Sequence, residues 1–217
     1  VKLLVCSLLL FLVSHPAWCQ DAQPDVEPLR EALAKQKELK SVQVKFRQIK
    51  TAPALAEPIK TMGQLWLVPG KAFRWELGTP KKTSVVFDGE SVFVLNEIKK
   101  TAQKLSPNDQ AIKPLLLTLG IGNEASFEGL NSIFNITSTN QNAERHVSVM
   151  VPRSRLIRNF INSMLMQVNL KTSFVERIGW TQKDGTEMMT EFLKPTLNEP
   201  LEPSLFQVQA EQYKWSQ

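Results

Sequence analysis

The chain has 217 residues, with 26 Lys and Arg against 21 Asp and Glu, and its formal charge of +5 is scattered in short pairs such as Lys81–Lys82 and Lys99–Lys100. The length suits one domain with a sizeable core, and charge of this kind reads as a solvated basic surface rather than as attraction to an acidic partner or a membrane face. The two cysteines, Cys6 and Cys19, both lie in an amino-terminal leader, so disulfides, thiolate metal sites and cysteine nucleophiles are excluded from the rest.

The leader reads VKLLVCSLLLFLVSHPAWCQ. Lys2 precedes an apolar run from Leu3 to Val13 that is too short to span a bilayer, the pattern of a cleaved secretory signal. Ala17 and Cys19 are small residues at the −3 and −1 positions, which predicts a signal over residues 1–19 and a single domain over 20–217. Lipid attachment at Cys19 is the rival, disfavoured by the bulk of Trp18 just before it.

Asp25 is placed to cap a helix with Pro28 in its first turn and an apolar stripe of Val26, Leu29, Leu33 and Leu39, expected to lie on a sheet. From Ser41 to Lys50 the period changes to two, with Val42, Val44 and Phe46 set against Gln43, Lys45 and Arg47: a half-buried strand. TAPALAEPIK, with Pro53 and Pro58, is an irregular connection. The stretch from Gly63 to Leu95 is a predicted antiparallel meander, with Asp88–Gly89 as a type I′ hairpin signal. It is apolar on both faces: Leu65 and Leu67 oppose Trp66 and Val68, and Val86 opposes Val85 and Phe87. Such a sheet must be covered on both sides or line a cavity. Strand parity, which decides the inward member of each pair, is left open.

Ile98–Leu105 is expected to be a strand, and Ser106–Asp109 a helix start. Leu115, Leu116, Leu117 and Leu119, ending at Gly120, form a short apolar helix. Periodicity favours a core helix there over a lid closing an apolar cavity. A helical turn or two over 126–134 precedes strands at FNITST and RHVSVMV. Further strands are expected over 164–171, 174–182 and 186–194, the last two joined at Lys183–Asp184–Gly185, and a closing strand over 205–210.

No phosphate-binding glycine loop, zinc-protease helix or nucleophile elbow is present. His146 has no partner at ligand spacing and reads as structural or exposed. Aromatics beside basic residues (Phe73, Arg74, Trp75, Lys71) suit base stacking, but the secretory leader makes nucleic acid an unfit partner. No catalytic residue, metal site or cofactor is expected. The best functional feature is the excess apolar surface around the meander and the 115–119 helix.

The run from Val44 to Leu95 resembles the periplasmic outer-membrane lipoprotein carrier family (LolA-like). The resemblance rests on Phe46–Arg47–Gln48, Gly63–Gln64–Leu65–Trp66, Phe73–Arg74–Trp75, Pro80 and Asp88–Gly89, then on Val151–Pro152, Asp184–Gly185, and Asn198 with Leu201 and Phe206. It implies an α+β fold, mainly antiparallel: an unclosed β half-barrel with a helical lid over an apolar cavity. It also implies a monomeric, cofactor-free periplasmic carrier rather than an enzyme. Such a carrier takes an acylated lipoprotein or other lipid cargo from an inner-membrane ABC transporter to an outer-membrane acceptor. The expected cavity and lid residues are Leu65, Trp66, Leu67, Phe73, Trp75, Val86, Phe93, Leu115, Leu116, Leu117 and Leu119. Family members latch the lid with an arginine before a proline; here Pro69 takes that place, followed by Gly70–Lys71, which leaves Lys71 and Arg74 as lid contacts. A sensor of the same half-barrel shape, resembling periplasmic anti-sigma-factor regulators, ranks second, and a hydrolase third.

Overall fold

In the computed structural model, residues 24–109, 112, 116, 119 and 126–216 are described. Helix α1 (Glu27–Gln36) opens on Val26 rather than on the expected Asp25; Asp25 sits one residue earlier, where its Oδ1 accepts the Glu27 N–H at 3.1 Å. Pro28 stands in the first turn, where a missing N–H costs nothing. Lys37 ends the helix by donating to the carbonyls of Ala34 and Lys35, so Leu39 falls beyond it.

The strands are β1 (Val42–Thr51), β2 (Ile59–Val68), β3 (Ala72–Leu77), β4 (Thr83–Phe87), β5 (Val92–Asn96), β6 (Thr101–Leu105), β7 (Phe134–Gln141), β8 (Arg145–Pro152), β9 (Ser163–Asn169), β10 (Val175–Thr181), β11 (Glu187–Phe192), β12 (Thr196–Leu197) and β13 (Lys214–Ser216). Helix α2 (Phe127–Ile133) is capped by the Ser126 side chain, and the single turn α3 (Arg155–Arg158) by Ser154. One sheet runs in the order β13-β6-β5-β4-β3-β2-β1-β11-β10-β9-β8-β7, with β12 beside β1. Its pairs are antiparallel except β13 on β6, and β13 and β7 are its two ends, so the sheet is an open barrel. Among the described residues no helix is long and apolar enough to cross a membrane.

Three expectations are corrected. The Asp88–Gly89 hairpin is not a two-residue turn: Phe87 pairs with Val92 across a four-residue loop. The Asp88 carboxylate accepts the N–H groups of Glu90 and Ser91, both at 2.9 Å, and this side-chain turn does the work of a tight backbone turn. The strand expected over Ile98–Leu105 begins only at Thr101, because Lys100 adopts a positive φ of 52°. The closing strand is not 205–210. Pro203 starts a 3₁₀ turn to Phe206, and the chain reaches the sheet only at β13.

Register fixes the parity that the sequence left open. Val42, Leu67, Phe73, Phe87, Val92 and Leu105 form one cross-strand row, and Val44, Leu65, Trp75, Val85 and Val94 another. Between them runs a row of opposite parity: Gln43, Trp66, Arg74, Val86, Phe93 and Lys104. The first two rows supply the concave face, under α1, Leu116 and Leu119. The third supplies the convex face, where Val86, Leu95 and Ala102 are covered by Val208 and Tyr213 of the carboxy-terminal segment. Both faces of the meander are therefore covered.

Gly63 shows why the strands approach so closely. It pairs with Phe46, and a Cβ there would lie 2.2 Å from the Phe46 ring and 2.5 Å from the Glu76 carbonyl oxygen. The absent side chain lets Phe46 lie flat across β2 and reach Trp75, with ring centroids 4.1 Å apart.

Candidate functional site

The concave face carries two apolar clusters. One joins α1, α2 and β7–β10 through Leu29, Leu33, Leu130, Phe134, Met150 and Met166. The other joins β1–β5 through Val44, Phe46, Leu65, Phe73, Trp75 and Phe87, with Leu116 and Leu119 packed on it. Between them lies a narrow, partly open apolar cavity of about 40 Å³. Leu33, Gln36, Lys37 and Leu39 border it from the end of α1; Val42, Leu65, Leu67 and Pro69 from β1 and β2; Phe174, Val175, Ile178 and Phe192 from the β10–β11 side; Leu119 from above.

Local sequence explains each wall. Helix α1 stops at Gln36, so Leu39 turns into the gap instead of continuing the helix face. Val42 and Val44 share the inward parity of β1 with Phe46, and the inward parity of β2 adds Leu65 and Leu67. Phe192 meets Phe46, Trp75 and Phe174 edge-on at centroid separations of 6.1 to 6.3 Å, forming an aromatic floor beside the cavity. Lys35 donates to the buried Ser173 Oγ at 3.0 Å and ties α1 to the loop before β10 at the rim.

Chemically the site offers apolar surface and little else. Gln36 and Lys37 are its polar members. Among the described residues no group of three His, Cys, Asp or Glu is placed to hold a metal. His146 is fully buried on β8 and does not border the cavity; its Nε2 meets Ser148 Oγ at 3.0 Å and its Nδ1 meets Gln141 Oε1 at 3.2 Å. Burial pushes the imidazole below its ordinary value of 6.5, against the pull of Asp25. Burial thus favours the neutral ring, which bonds Ser148 and Gln141 within the sheet.

The expected site residues divide. Leu65, Leu67 and Leu119 border the cavity; Phe73, Trp75 and Leu116 belong to the cluster behind it. Leu115 and Leu117 lie outside the described residues. Trp66, Val86 and Phe93 are corrected to the convex face, because alternation along β2, β4 and β5 puts them opposite the inward rows. Arg74 is not a lid contact either. Its parity is that of Trp66, and it bonds Glu76 at 2.6 Å and the carbonyl of Leu205 at 3.2 Å, holding the carboxy-terminal segment. Lys71 is exposed in the β2–β3 turn without an ion-pair partner among the described residues. Sequence reading missed Leu33, Leu39, Val42, Pro69, Phe174, Val175, Ile178 and Phe192 as cavity residues. The alternation of β1 was the available signal for Val42; Phe174, Val175, Ile178 and Phe192 depend on β1 pairing with β11, a contact between distant parts of the chain.

The convex side holds an ionic clamp. Glu97 accepts from Ser84 Oγ and Tyr213 Oη, both at 2.9 Å, and pairs with Lys100 at 3.1 Å and Lys81 at 3.4 Å. Burial pushes its carboxyl up, but the hydrogen bonds from Ser84, Tyr213 and Lys100 and the Lys81 charge outweigh it and bring it down to about 2.

No curated protein matches the sequence. Among solved structures the chain is similar to a conserved protein of Thermus thermophilus, 11% identical, covering 88% of this chain and 98% of that one at a TM-score of 0.51. It is also similar to a LolA superfamily protein of Nitrosomonas europaea, 11% identical, covering 82% and 96% at 0.42. A third similar structure is MucB in its complex with MucA from Pseudomonas aeruginosa, 15% identical, covering 85% of this chain and 61% of that one at 0.42. At these identities the first shows a shared fold and nothing more. The sequence profile of outer membrane lipoprotein carrier protein LolA matches residues 37–209, a span that holds β1 to β12 and most of the cavity wall. By that match the chain belongs to the LolA family.

Proposed function

We propose that this protein is a periplasmic carrier that holds the acyl chains of a lipoprotein, or of a related lipid, in the apolar cavity. It would take them from an inner-membrane ABC transporter to an outer-membrane acceptor. The observation that carries the reading is the cavity between the two concave clusters, bordered by apolar side chains from α1, β1, β2, β10 and β11. Each buried methylene is worth roughly 0.8 kcal/mol, so ten of them supply about 8 kcal/mol before the cost of immobilising the chain. That suffices for useful affinity and leaves release possible, as a shuttle requires.

The test is lipid mass spectrometry of protein purified from cells that export it, paired with titration of a fluorescent acyl probe. Wild type carries acylated material and takes up the probe. Leu65→Glu, which sets an unpaired carboxylate in the wall, folds but loses the probe by at least about tenfold. A wild-type protein that carries no lipid and takes up no probe is not a carrier. Capture of a single-pass membrane regulator with no transporter component would turn the reading toward a sensor of the same shape.

A further inference from the structure

The cavity lies at the end of the sheet where β1 and β10 begin and β2 finishes. The opposite end, where β1 and β10 finish, is built from the β1–β2 connection, the β10–β11 turn and the loop containing α3. These are joined: Asn162 N–H donates to the Thr181 carbonyl at 2.7 Å, and Lys183 Nζ to Asn159 Oδ1 at 3.3 Å.

Helix α3 is fixed by Ile157, 3% exposed, in the concave core. Its neighbours do the reverse. Leu156 is 61% exposed and Phe160 49%, and their spacing of four residues puts both on one side of the turn. Around them stand Arg153, Arg155 and Arg158, none with a carboxylate partner among the described residues. Two of these are held in place by carbonyls: Arg153 Nε by Asn131 at 2.7 Å, and Arg158 Nε by Pro152 at 2.8 Å. Lys183 adds a fourth cation, offset by its neighbour Asp184, whose carboxylate also accepts the Thr186 N–H at 2.9 Å.

An exposed apolar pair beside three arginines with no carboxylate partner among the described residues calls for an anionic partner with an apolar layer. A protein interface buries about 800 Å² per partner, while a half-exposed Leu and Phe present only a few hundred. A bilayer accepts shallow insertion of two side chains, and its phosphates take the guanidinium groups. We propose that the α3 tip docks on an anionic lipid surface, with Leu156 and Phe160 entering the headgroup–acyl boundary and Arg153, Arg155 and Arg158 meeting lipid phosphates. This surface is separate from the cavity and does not need the carrier reading.

Flotation tests it, with the protein purified as its cells process it. One set of vesicles is phosphatidylcholine alone; the other contains about 30% phosphatidylglycerol, to supply surface charge. Wild type floats with the charged vesicles at low salt and is released at high salt. Arg155→Gln weakens binding about fivefold, the share of one surface cation. Leu156→Ser/Phe160→Ser weakens it at least about tenfold while acyl-probe affinity stays at the wild-type value. Three outcomes overturn the proposal: wild type fails to float, the double variant floats like wild type, or binding needs the proteins of native membranes. Loss of probe uptake alone leaves the docking surface standing and removes only the carrier.

Discussion

The two halves of the sheet are finished in opposite ways. Over β7–β10 the concave face is filled: α1 and α2 drive Leu29, Leu33, Leu130 and Ile133 onto Met150, Met164 and Met166. The convex face there has no second core: Arg145 and Gln167 both bond Glu176 on it, beside half-buried Val149 and Leu165. Over β1–β6 the concave face keeps room at its border, and the packing missing inside is supplied outside. Val86, Leu95 and Ala102 form a small core under Val208 and Tyr213, and the Glu97 clamp fastens it. A half-sheet that keeps room at its inner face cannot draw full stability from that face, and this fold gives it a second layer on the outside.

The largest effect is expected where the inner face is filled. Phe134 is fully buried in the α1–α2 cluster, and Phe134→Ala should cost about 3–5 kcal/mol in chemical denaturation. Acyl-probe affinity of the folded fraction should be unchanged. A loss below about 1 kcal/mol would mean that this half is loosely packed as well, and the comparison would fail.

Next comes the wall of the hollow half. In Gly63→Ala the new methyl meets the Phe46 ring and the Glu76 carbonyl, and the backbone oxygen has no easy retreat. The expected cost is about 1–3 kcal/mol, with a changed near-ultraviolet dichroism from the displaced Phe46–Trp75 pair. An unaltered spectrum with wild-type stability would show that β2 shifts freely, contrary to a stiff aromatic wall.

How much of this was legible in the sequence depends on range. Alternation along β1 and β2, the Pro28 turn and the helical turns over 126–134 follow from neighbours in sequence, and those elements stand close to where expected. Residue parity did not. Whether Leu65 or Trp66 faces inward is set by which rows β3, β4 and β11 bring alongside. Val86 and Phe93 look as apolar as Phe73 and Phe87, yet they serve the outer core because the carboxy-terminal segment crosses there. Phe192 was invisible for the same reason: its part in the aromatic floor begins only when β11 pairs with β1. The family resemblance captured the cavity as a shape and named Leu65, Leu67 and Leu119 of its wall, but none of the residues that β10 and β11 bring to it.

Acid should separate the halves. His146, in the filled half, has its value lowered by burial, so its contribution is complete above the ordinary 6.5 and falls away as pH drops below it. Glu97, in the hollow half, is held at about 2 against an ordinary 4.5, so its contribution is complete above 4.5 and falls away between there and about 2. With Lys81 and Lys100 partly exposed, the Glu97 share is about 1–2 kcal/mol. Stability measured against pH should thus decline in two stages. Glu97→Gln should shrink the second stage and leave the first; what remains of the second includes Glu176, whose carboxyl burial raises but hydrogen bonds from Asn169, Arg145 and Gln167 lower further. A variant that keeps the wild-type profile below pH 4.5 would show that the clamp does not hold the outer layer.

The smallest stability change is expected at the cavity itself, and two leucines in one stretch isolate it. Leu116 and Leu119 are both buried, 4% and 5% exposed, and both touch the β1–β5 cluster. Only Leu119 borders the cavity. Truncating Leu116 leaves a hole among packed neighbours and should cost about 2–5 kcal/mol. Leu119 already lacks contact atoms on its cavity side, so Leu119→Ala forfeits fewer contacts and should cost less than about 2 kcal/mol. A bound acyl chain, however, would lie against that same side. Leu119→Ala should therefore weaken the probe severalfold, while Leu116→Ala leaves it near wild type in the folded fraction. Thermal unfolding and probe titration on the same two proteins give both numbers. Equal stability losses with equal affinities would make Leu119 an ordinary core residue, and the cavity would then lose its upper wall as a ligand contact.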